Sequence, residues 1–173
     1  MKSIGVISDT HKKFDYARKI IELFVEKKVD FIVHAGDIVD VDVLELIKNT
    51  KIKYVAVYGN NDAHLSKFHT KYNLVQEPHY FKFANKKFKL MHLPFYMTPD
   101  ADIVIFGHTH VFECDFKNNT LFLNSGESCA RKKELSEAVI LHVDENRYDV
   151  TYYSKKPKAN EFNEKQFSFE CKD

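Results

Sequence analysis

Short apolar runs alternate with helix-spaced apolar positions along the first third of the chain. Ile4, Val6 and Ile7 predict a strand that runs into Ser8-Asp9-Thr10-His11. Ala17, Ile20, Ile21, Phe24 and Val25 recur at i, i+3, i+4, i+7 and i+8, the spacing that places apolar side chains on one helix face. Phe31, Ile32 and Val33 predict a second buried strand, ending at Ala35-Gly36-Asp37. Leu44 and Ile47 mark a second helix, with Asp40 or Asp42 as its N-cap. Residues 54–58 predict a third strand, which ends at Gly59-Asn60-Asn61-Asp62. Strand–helix–strand–helix–strand is the pattern of a parallel sheet covered by helices.

The second half changes character. Residues 79–83 and 86–91 flank Ala84-Asn85 as a hairpin. Further strands are predicted at 103–106, 111–116, 120–124, 137–142 and 147–153, with Asn118-Asn119 and Glu145-Asn146 at turns. A β-rich half after a βαβ half predicts an α/β fold of two packed sheets within one domain, residues 1–153. From Ser154 the chain is polar and Lys/Glu-rich, with Phe162, Phe167 and Phe169 scattered through it, and it reads as a C-terminal tail, 154–173.

Composition narrows the function classes. A length of 173 residues suits one compact domain. Lys plus Arg number 26 against 25 Asp plus Glu, so the net charge is +1, without the basic excess of a dedicated nucleic-acid binder. The 15 Phe and 9 Tyr supply apolar area to bury and argue against disorder. The longest apolar run is the five residues 54–58, too short to span a membrane. The N-terminus reads as a strand and not as a signal peptide. Cys114, Cys129 and Cys171 are odd in number and form no CxxC, which excludes a disulfide framework or a Cys-based zinc site and suits the reducing cytoplasm. Nine His are present, and histidine is the commonest metal ligand.

Where the histidines sit relative to the strands gives them meaning. Asp9 and His11 follow the first strand, Asp37 the second and Asn60 the third, while His92 follows 86–91, and His108 and His110 follow 103–106. Ligands of open α/β sheets bind in the crevice at the carboxyl ends of the strands. Oxygen and imidazole ligands delivered to one edge form the layout of a two-metal site, in which Asp37 can bridge through its two oxygens. Imidazole suits Mn, Fe, Ni, Zn and Co. Singly, an Asp-x-His, a Gly-Asp turn or a His-Thr-His has a commonplace reading as solvated loop or cap; the ordered series at successive strand ends does not.

Ser8-Asp9-Thr10-His11, Ala35-Gly36-Asp37, Gly59-Asn60-Asn61-Asp62, His92 and Gly107-His108-Thr109-His110 resemble the motif series of the calcineurin-like metallophosphoesterases, in particular their small bacterial and archaeal phosphodiesterase branch. The resemblance spans residues 1–153 and implies a sandwich of two mixed sheets flanked by helices. It implies that Asp9, His11, Asp37 and His110 hold one divalent ion and Asp37, Asn60, His92 and His108 the other. Mn²⁺ is the first expectation, with Ni²⁺, Zn²⁺, Fe²⁺ and Co²⁺ as alternatives. Asp37, Asn60 and His92 are then the catalytic core, and a metal-bridging hydroxide attacks phosphorus in line to hydrolyse a small-molecule phosphodiester. The charge balance and the short apolar runs argue for no dedicated nucleic-acid surface and no membrane span, and a homo-oligomer is left open. The competing readings are a phosphomonoesterase, a single-metal hydrolase, and a non-catalytic scaffold of the same fold like the eukaryotic retromer subunit.

Departures from the family pattern qualify what is expected. Asn61 stands where many members carry a His that protonates the leaving group, and an amide is no general acid. His64 is a candidate replacement, with a solvated loop His as the plainer reading. Asn124-Ser125-Gly126-Glu127 resembles the branch's NPGS turn, and Arg131 just beyond it is a candidate substrate contact, as is Asn61. Lys12 and Lys13 beside His11 could attract phosphate, or simply be solvated. Only 15 residues separate His92 from His108, so the insertion that helps wall the cleft is pruned and the cleft is expected to be open. Phe95, Tyr96 and Met97 either line that cleft or, as the plainer expectation, are buried.

Overall fold

The computed structural model describes residues 1–171. The predicted alternation is realised as β1 (Lys2–Ile7), α1 (Phe14–Glu26), β2 (Phe31–His34), α2 (Val41–Asn49) and β3 (Lys53–Val57). Helix α1 buries Ala17, Ile20, Ile21 and Phe24 but leaves Val25 49% exposed, while Leu23 is buried instead. Eight residues from Ala17 is more than two turns, which carries Val25 off the stripe's centre. Asp40, not Asp42, is the N-cap of α2, and its side chain accepts from Asp42 N at 3.0 Å.

A 3₁₀ turn (Ala63–Phe68) and β4 (Leu74–Val75) follow, then β5 (His79–Phe83), β6 (Lys86–Leu90), β7 (Ile103–Phe106), β8 (Phe112–Lys117), β9 (Thr120–Ser125), β10 (Ser136–Val143), β11 (Arg147–Lys155) and β12 (Asn163–Glu170). They form a seven-stranded sheet, β12-β11-β10-β1-β2-β3-β4, and a five-stranded sheet, β5-β6-β7-β9-β8. Both are mixed: β1 to β4 run parallel and β6, β7 and β9 run parallel, with antiparallel strands at the flanks.

Period-two alternation sorts the core. Ile4, Val6, Val33, Val55 and Val57 face Phe88, Leu90, Ile103, Ile105, Leu121 and Leu123 across the sandwich. Ile7, Ile32, Ala56 and Ile140 point the other way, onto Ala17, Ile20, Phe24, Leu44 and Ile47. The outer face of the small sheet gathers Met91, Val104, Phe106 and Phe122, with Met97 packed against them. None of the described helices is long and apolar enough to cross a membrane.

Two expectations are corrected. The segment read as a polar tail contributes β12, which pairs antiparallel with β11 from Arg147↔Glu170 to Ser154↔Asn163, and the expected boundary at 153 falls inside β11. As an edge strand β12 half-buries only Phe167 and Phe169. Phe167 and Phe169 lie 5.5 and 5.6 Å from Phe112 and Phe116 of the small sheet, closing that margin of the sandwich. Residues 172–173 of the expected tail lie outside the described residues. Phe95 and Tyr96, for which burial was the plainer expectation, are 75% and 54% exposed. Their loop is held from beneath through its backbone, by the buried Lys89 ammonium, which donates to Tyr96 O and Thr98 O at 2.8 and 3.1 Å.

Candidate metal centre

Five strands end at one edge. β1 delivers Asp9 and His11, β2 Asp37, β3 Asn60, β6 His92, and β7 His108 and His110. The chain must turn sharply at each exit to aim a side chain at the same spot. Asp9, His11, Asp37, His108 and His110 all have positive φ, between 46° and 67°. For non-glycine residues this conformation costs on the order of 1 kcal/mol or more each and collects at functional sites. Tertiary hydrogen bonds hold it in place: Asp9 N donates to Gly36 O and His11 N to Asp37 O, both at 3.0 Å. Gly36 has φ +87°, and a Cβ there would come within 2.7 Å of His92. A Cβ on Gly59 would collide with the backbone nitrogen and carboxylate of Asp37.

The seven side chains form two clusters sharing Asp37. In the first, Asp9 Oδ1 lies 3.2 Å from His110 Nε2 and 3.9 Å from His11 Nε2, and His11 Nε2 is 3.7 Å from Asp37 Oδ2. In the second, His92 Nε2 is 3.5 Å from Asp37 Oδ1 and 3.0 Å from Asn60 Oδ1, which is itself 3.1 Å from His108 Nδ1. One oxygen of Asp37 therefore faces each cluster. Asp9, His11, Asp37, His92 and His110 are buried, whereas Asn60, Asn61 and His108 are exposed, giving a closed floor and an open mouth.

The donors fit divalent cations. Asp9 Oδ1 and His11 Nε2 are buried with no hydrogen-bond partner, a state that costs about 1–3 kcal/mol per group unless something else satisfies it. Carboxylate, amide and imidazole donors in this mixture match first-row divalent ions. Burial, with the Arg131 charge next in size, pushes the His11 imidazole below its ordinary range despite the nearby Asp37 and Asp9, so it is neutral and able to donate a lone pair. Burial raises the Asp9 carboxyl, but His110, the Ser8 hydroxyl at 2.5 Å and His92 together hold it below the ordinary value.

Surrounding groups orient these side chains. His92 Nδ1 bonds Ala35 O at 2.8 Å, which turns Nε2 toward the cluster. Glu77 Oε2 accepts from His92 N and, at 2.9 Å, from Leu93 N. Buried Asp62 accepts from Gly59, Val39 and Ile38 backbone N–H groups at 2.7, 2.8 and 3.1 Å, clamping the β2 and β3 exits together. Burial pushes His34 down to about 3, so it is neutral. Its Nδ1 accepts from Gly36 N, and its Nε2 then donates to Thr10 Oγ1, which donates to Ile38 O. Glu127, fully buried, accepts from His110 Nδ1 and from Lys132 N and Lys133 N at 2.5 and 3.0 Å. Hydrogen bonding to Asp9, then to Cys129 and Glu127, pushes His110 up to about 10.

Of the other candidates, Asn61 touches the shared carboxylate directly: Nδ2 donates to Asp37 Oδ2 at 2.7 Å and its backbone N–H to Oδ1 at 2.9 Å. His64 bonds Val39 O through Nε2 at 2.7 Å from an exposed turn, and among the described residues no hydrogen bond or ion pair joins it to the clusters. Arg131 lines a cavity of about 360 Å³ next to His11 and Asn61. A larger hollow, about 580 Å³ between α1 and the Lys155–Glu164 stretch, lies away from these clusters. No local spacing marks Glu127 or Glu77 in the sequence, since the histidines they hold are 17 and 15 residues away.

A two-sheet sandwich that gathers carboxylates and histidines at its strand ends defines a phosphoesterase-type fold. The chain belongs to the calcineurin-like phosphoesterase superfamily, whose domain profile matches residues 1–146. A phosphodiesterase from Methanocaldococcus jannaschii is 28% identical over 158 residues, spanning 84% of this chain and 95% of that protein. The solved structure of an archaeal phosphodiesterase has a TM-score of 0.73 at 25% identity, covering 95% of this chain and 99% of its own. Vacuolar protein sorting 29 from Cryptosporidium parvum gives 0.79 at 20% identity over 98% of each chain, a shared fold. The similarity places this metallophosphoesterase in the small bacterial and archaeal branch.

Proposed function

We propose that the protein is a phosphodiesterase that holds two divalent cations, one among Asp9, His11, Asp37 and His110 and one among Asp37, Asn60, His92 and His108. The observation that carries this reading is the division of Asp37, with Oδ2 at 3.7 Å from His11 and Oδ1 at 3.5 Å from His92. When bound, such a pair of cations supplies Lewis acidity, lowering the pKa of water and polarising a phosphoryl oxygen. Mn²⁺ is the first choice, with Ni²⁺, Zn²⁺, Fe²⁺ and Co²⁺ as alternatives, on the mixture of hard oxygens and imidazoles.

The chain's own groups do the positioning. Asp37 ties the two clusters together, the Asn60 amide oxygen adds a neutral donor, and His92 is held by Ala35 O with Nε2 inward. Asn61 sits at the mouth, donates a hydrogen bond to Asp37 and carries no acidic proton to transfer, so the leaving group is protonated by solvent and good leaving groups are preferred. Arg131 adds a cation beside His11, available to a small-molecule phosphate ester. His64, engaged by Val39 O, has no part in proton transfer. A diester substrate is supported by the relative named as a phosphodiesterase. A reducing, cytoplasmic setting is supported by free thiols at Cys114, Cys129 and Cys171.

The test is hydrolysis of aryl and nucleotide phosphodiesters and monoesters with each metal added in turn. Turnover of diesters with Mn²⁺ is expected. Failure with every metal would favour the scaffold reading.

A further inference from the structure

The cavity beside His11 holds an uncompensated group of cations. Lys12, Lys13 and Arg131 line it together with His11 and Asn61, and no carboxylate is among its lining residues. Elsewhere the chain pairs its cations readily, as in Lys2–Asp30, Arg18–Glu22, Lys71–Glu45 and Arg147–Asp149. Among the described residues, no side-chain hydrogen bond or ion pair engages Lys12, Lys13 or Arg131. In a protein of net charge +1, this is a local concentration of positive charge that the composition conceals.

The cations are also placed. Lys12 and Lys13 directly follow His11, whose backbone is fixed by Asp37 O at 3.0 Å. Arg131 precedes the two N–H groups, of Lys132 and Lys133, that Glu127 anchors, and Glu127 also holds His110. Arginine presents a planar fork suited to phosphate, and lysines add point charges without geometric demand. A cavity of about 360 Å³ is of a size for a phosphate with part of its carrier.

We propose that this cavity binds a second phosphate on the substrate, so that the preferred substrate is a phosphodiester bearing an additional phosphomonoester group. The inference rests on the phosphodiesterase reading but concerns a subsite that the metal clusters do not require. Lys12, Lys13 and Arg131 neutralise a dianion there, and the scissile diester lies against the clusters beside it.

A matched pair of substrates tests this: thymidine 5′-(p-nitrophenyl phosphate) with and without a 3′-phosphate. Scissile diester and leaving group are identical. With the Mn²⁺-loaded protein, kcat/KM is expected to be at least about tenfold higher for the 3′-phosphorylated ester, chiefly through KM, the scale of a charge-assisted hydrogen bond. High salt and the triple variant Lys12→Ala/Lys13→Ala/Arg131→Ala should each bring the ratio toward one. A wild-type ratio of one or less overturns the subsite while leaving the phosphodiesterase reading intact. If neither ester turns over, that reading fails, and calorimetric titration decides the subsite alone. Thymidine 3′,5′-bisphosphate should then bind about tenfold tighter than thymidine 5′-monophosphate, and equal affinity overturns the proposal.

Discussion

Asn61 donates to both oxygens of Asp37, through Nδ2 at 2.7 Å and through its backbone N–H at 2.9 Å. The residue at the family's proton-donor position is thus a hydrogen-bond donor to the shared carboxylate, with no exchangeable acid proton in the working pH range. Restoring an acid there should matter only for leaving groups that need protonation. Asn61→His is expected to raise kcat for alkyl and phenyl esters by about tenfold or more, within the range of general-acid catalysis, and to change p-nitrophenyl esters little. The measurement is the dependence of rate on leaving-group pKa, and an equal factor for all leaving groups contradicts the argument.

His64 stands nearby but is committed to Val39 O. His64→Ala should leave the pH–rate profile unaltered in shape. Loss of a basic or acidic limb in the variant would show that the imidazole leaves Val39 during turnover.

Glu127 links His110 Nδ1 to the backbone N–H groups of Lys132 and Lys133. Glu127→Ala strands the His110, Lys132 and Lys133 N–H donors and the weaker Cys129 thiol, at about 1–3 kcal/mol for each N–H left buried. Tm should fall by several degrees, about 2–4 °C for each kcal/mol in a chain of this size. Mn²⁺ affinity should fall about 10- to 100-fold, the usual consequence of losing a carboxylate behind a histidine ligand. Glu127→Gln should recover part of Tm, since its amide oxygen still accepts from the backbone. Calorimetric titration and thermal unfolding read the two effects separately, and unchanged affinity in Glu127→Ala refutes the positioning role.

Lys89 is wholly buried and pairs with Asp100 while holding the loop backbone at Tyr96 and Thr98. The Lys89 hydrogen bond is the largest influence drawing the Asp100 carboxyl down to about 2. Because the folded value lies below the ordinary one, the pair stabilises fully above about pH 4–5 and loses its contribution as pH falls through about 2. Asp100→Asn should therefore be less stable than wild type to urea near neutrality, with the gap closing between about pH 4 and pH 2. A gap that persists at low pH would place its cause outside this ionisation.

Legibility in the sequence followed the range of the interactions. Apolar periodicity marked β1 to β3 and both helices because each buries a face against an element close in the chain. The convergence of the Asp, Asn and His series was legible because every member follows an apolar run, and strand exits at one sheet edge converge whatever the loops between them do. β12 was not, because an edge strand needs only Phe167 and Phe169 inward and the rest of Asn163–Glu170 is free to be polar. Glu127 and Glu77 escaped because a carboxylate that accepts from loop groups has no sequence period, and the histidines they hold lie 17 and 15 residues away. The exposure of Phe95 and Tyr96 depended on the Lys89 ammonium holding the loop by its carbonyls, a long-range contact that apolar patterning does not encode.

The central claim is that Asp37 joins two cation sites. Its most direct test is metal stoichiometry measured alongside turnover of bis(p-nitrophenyl) phosphate in wild type and Asp37→Asn. The account predicts two equivalents of Mn²⁺ and hydrolysis in wild type, with one equivalent or fewer and no hydrolysis in the variant. Two equivalents with undiminished turnover in Asp37→Asn would contradict it.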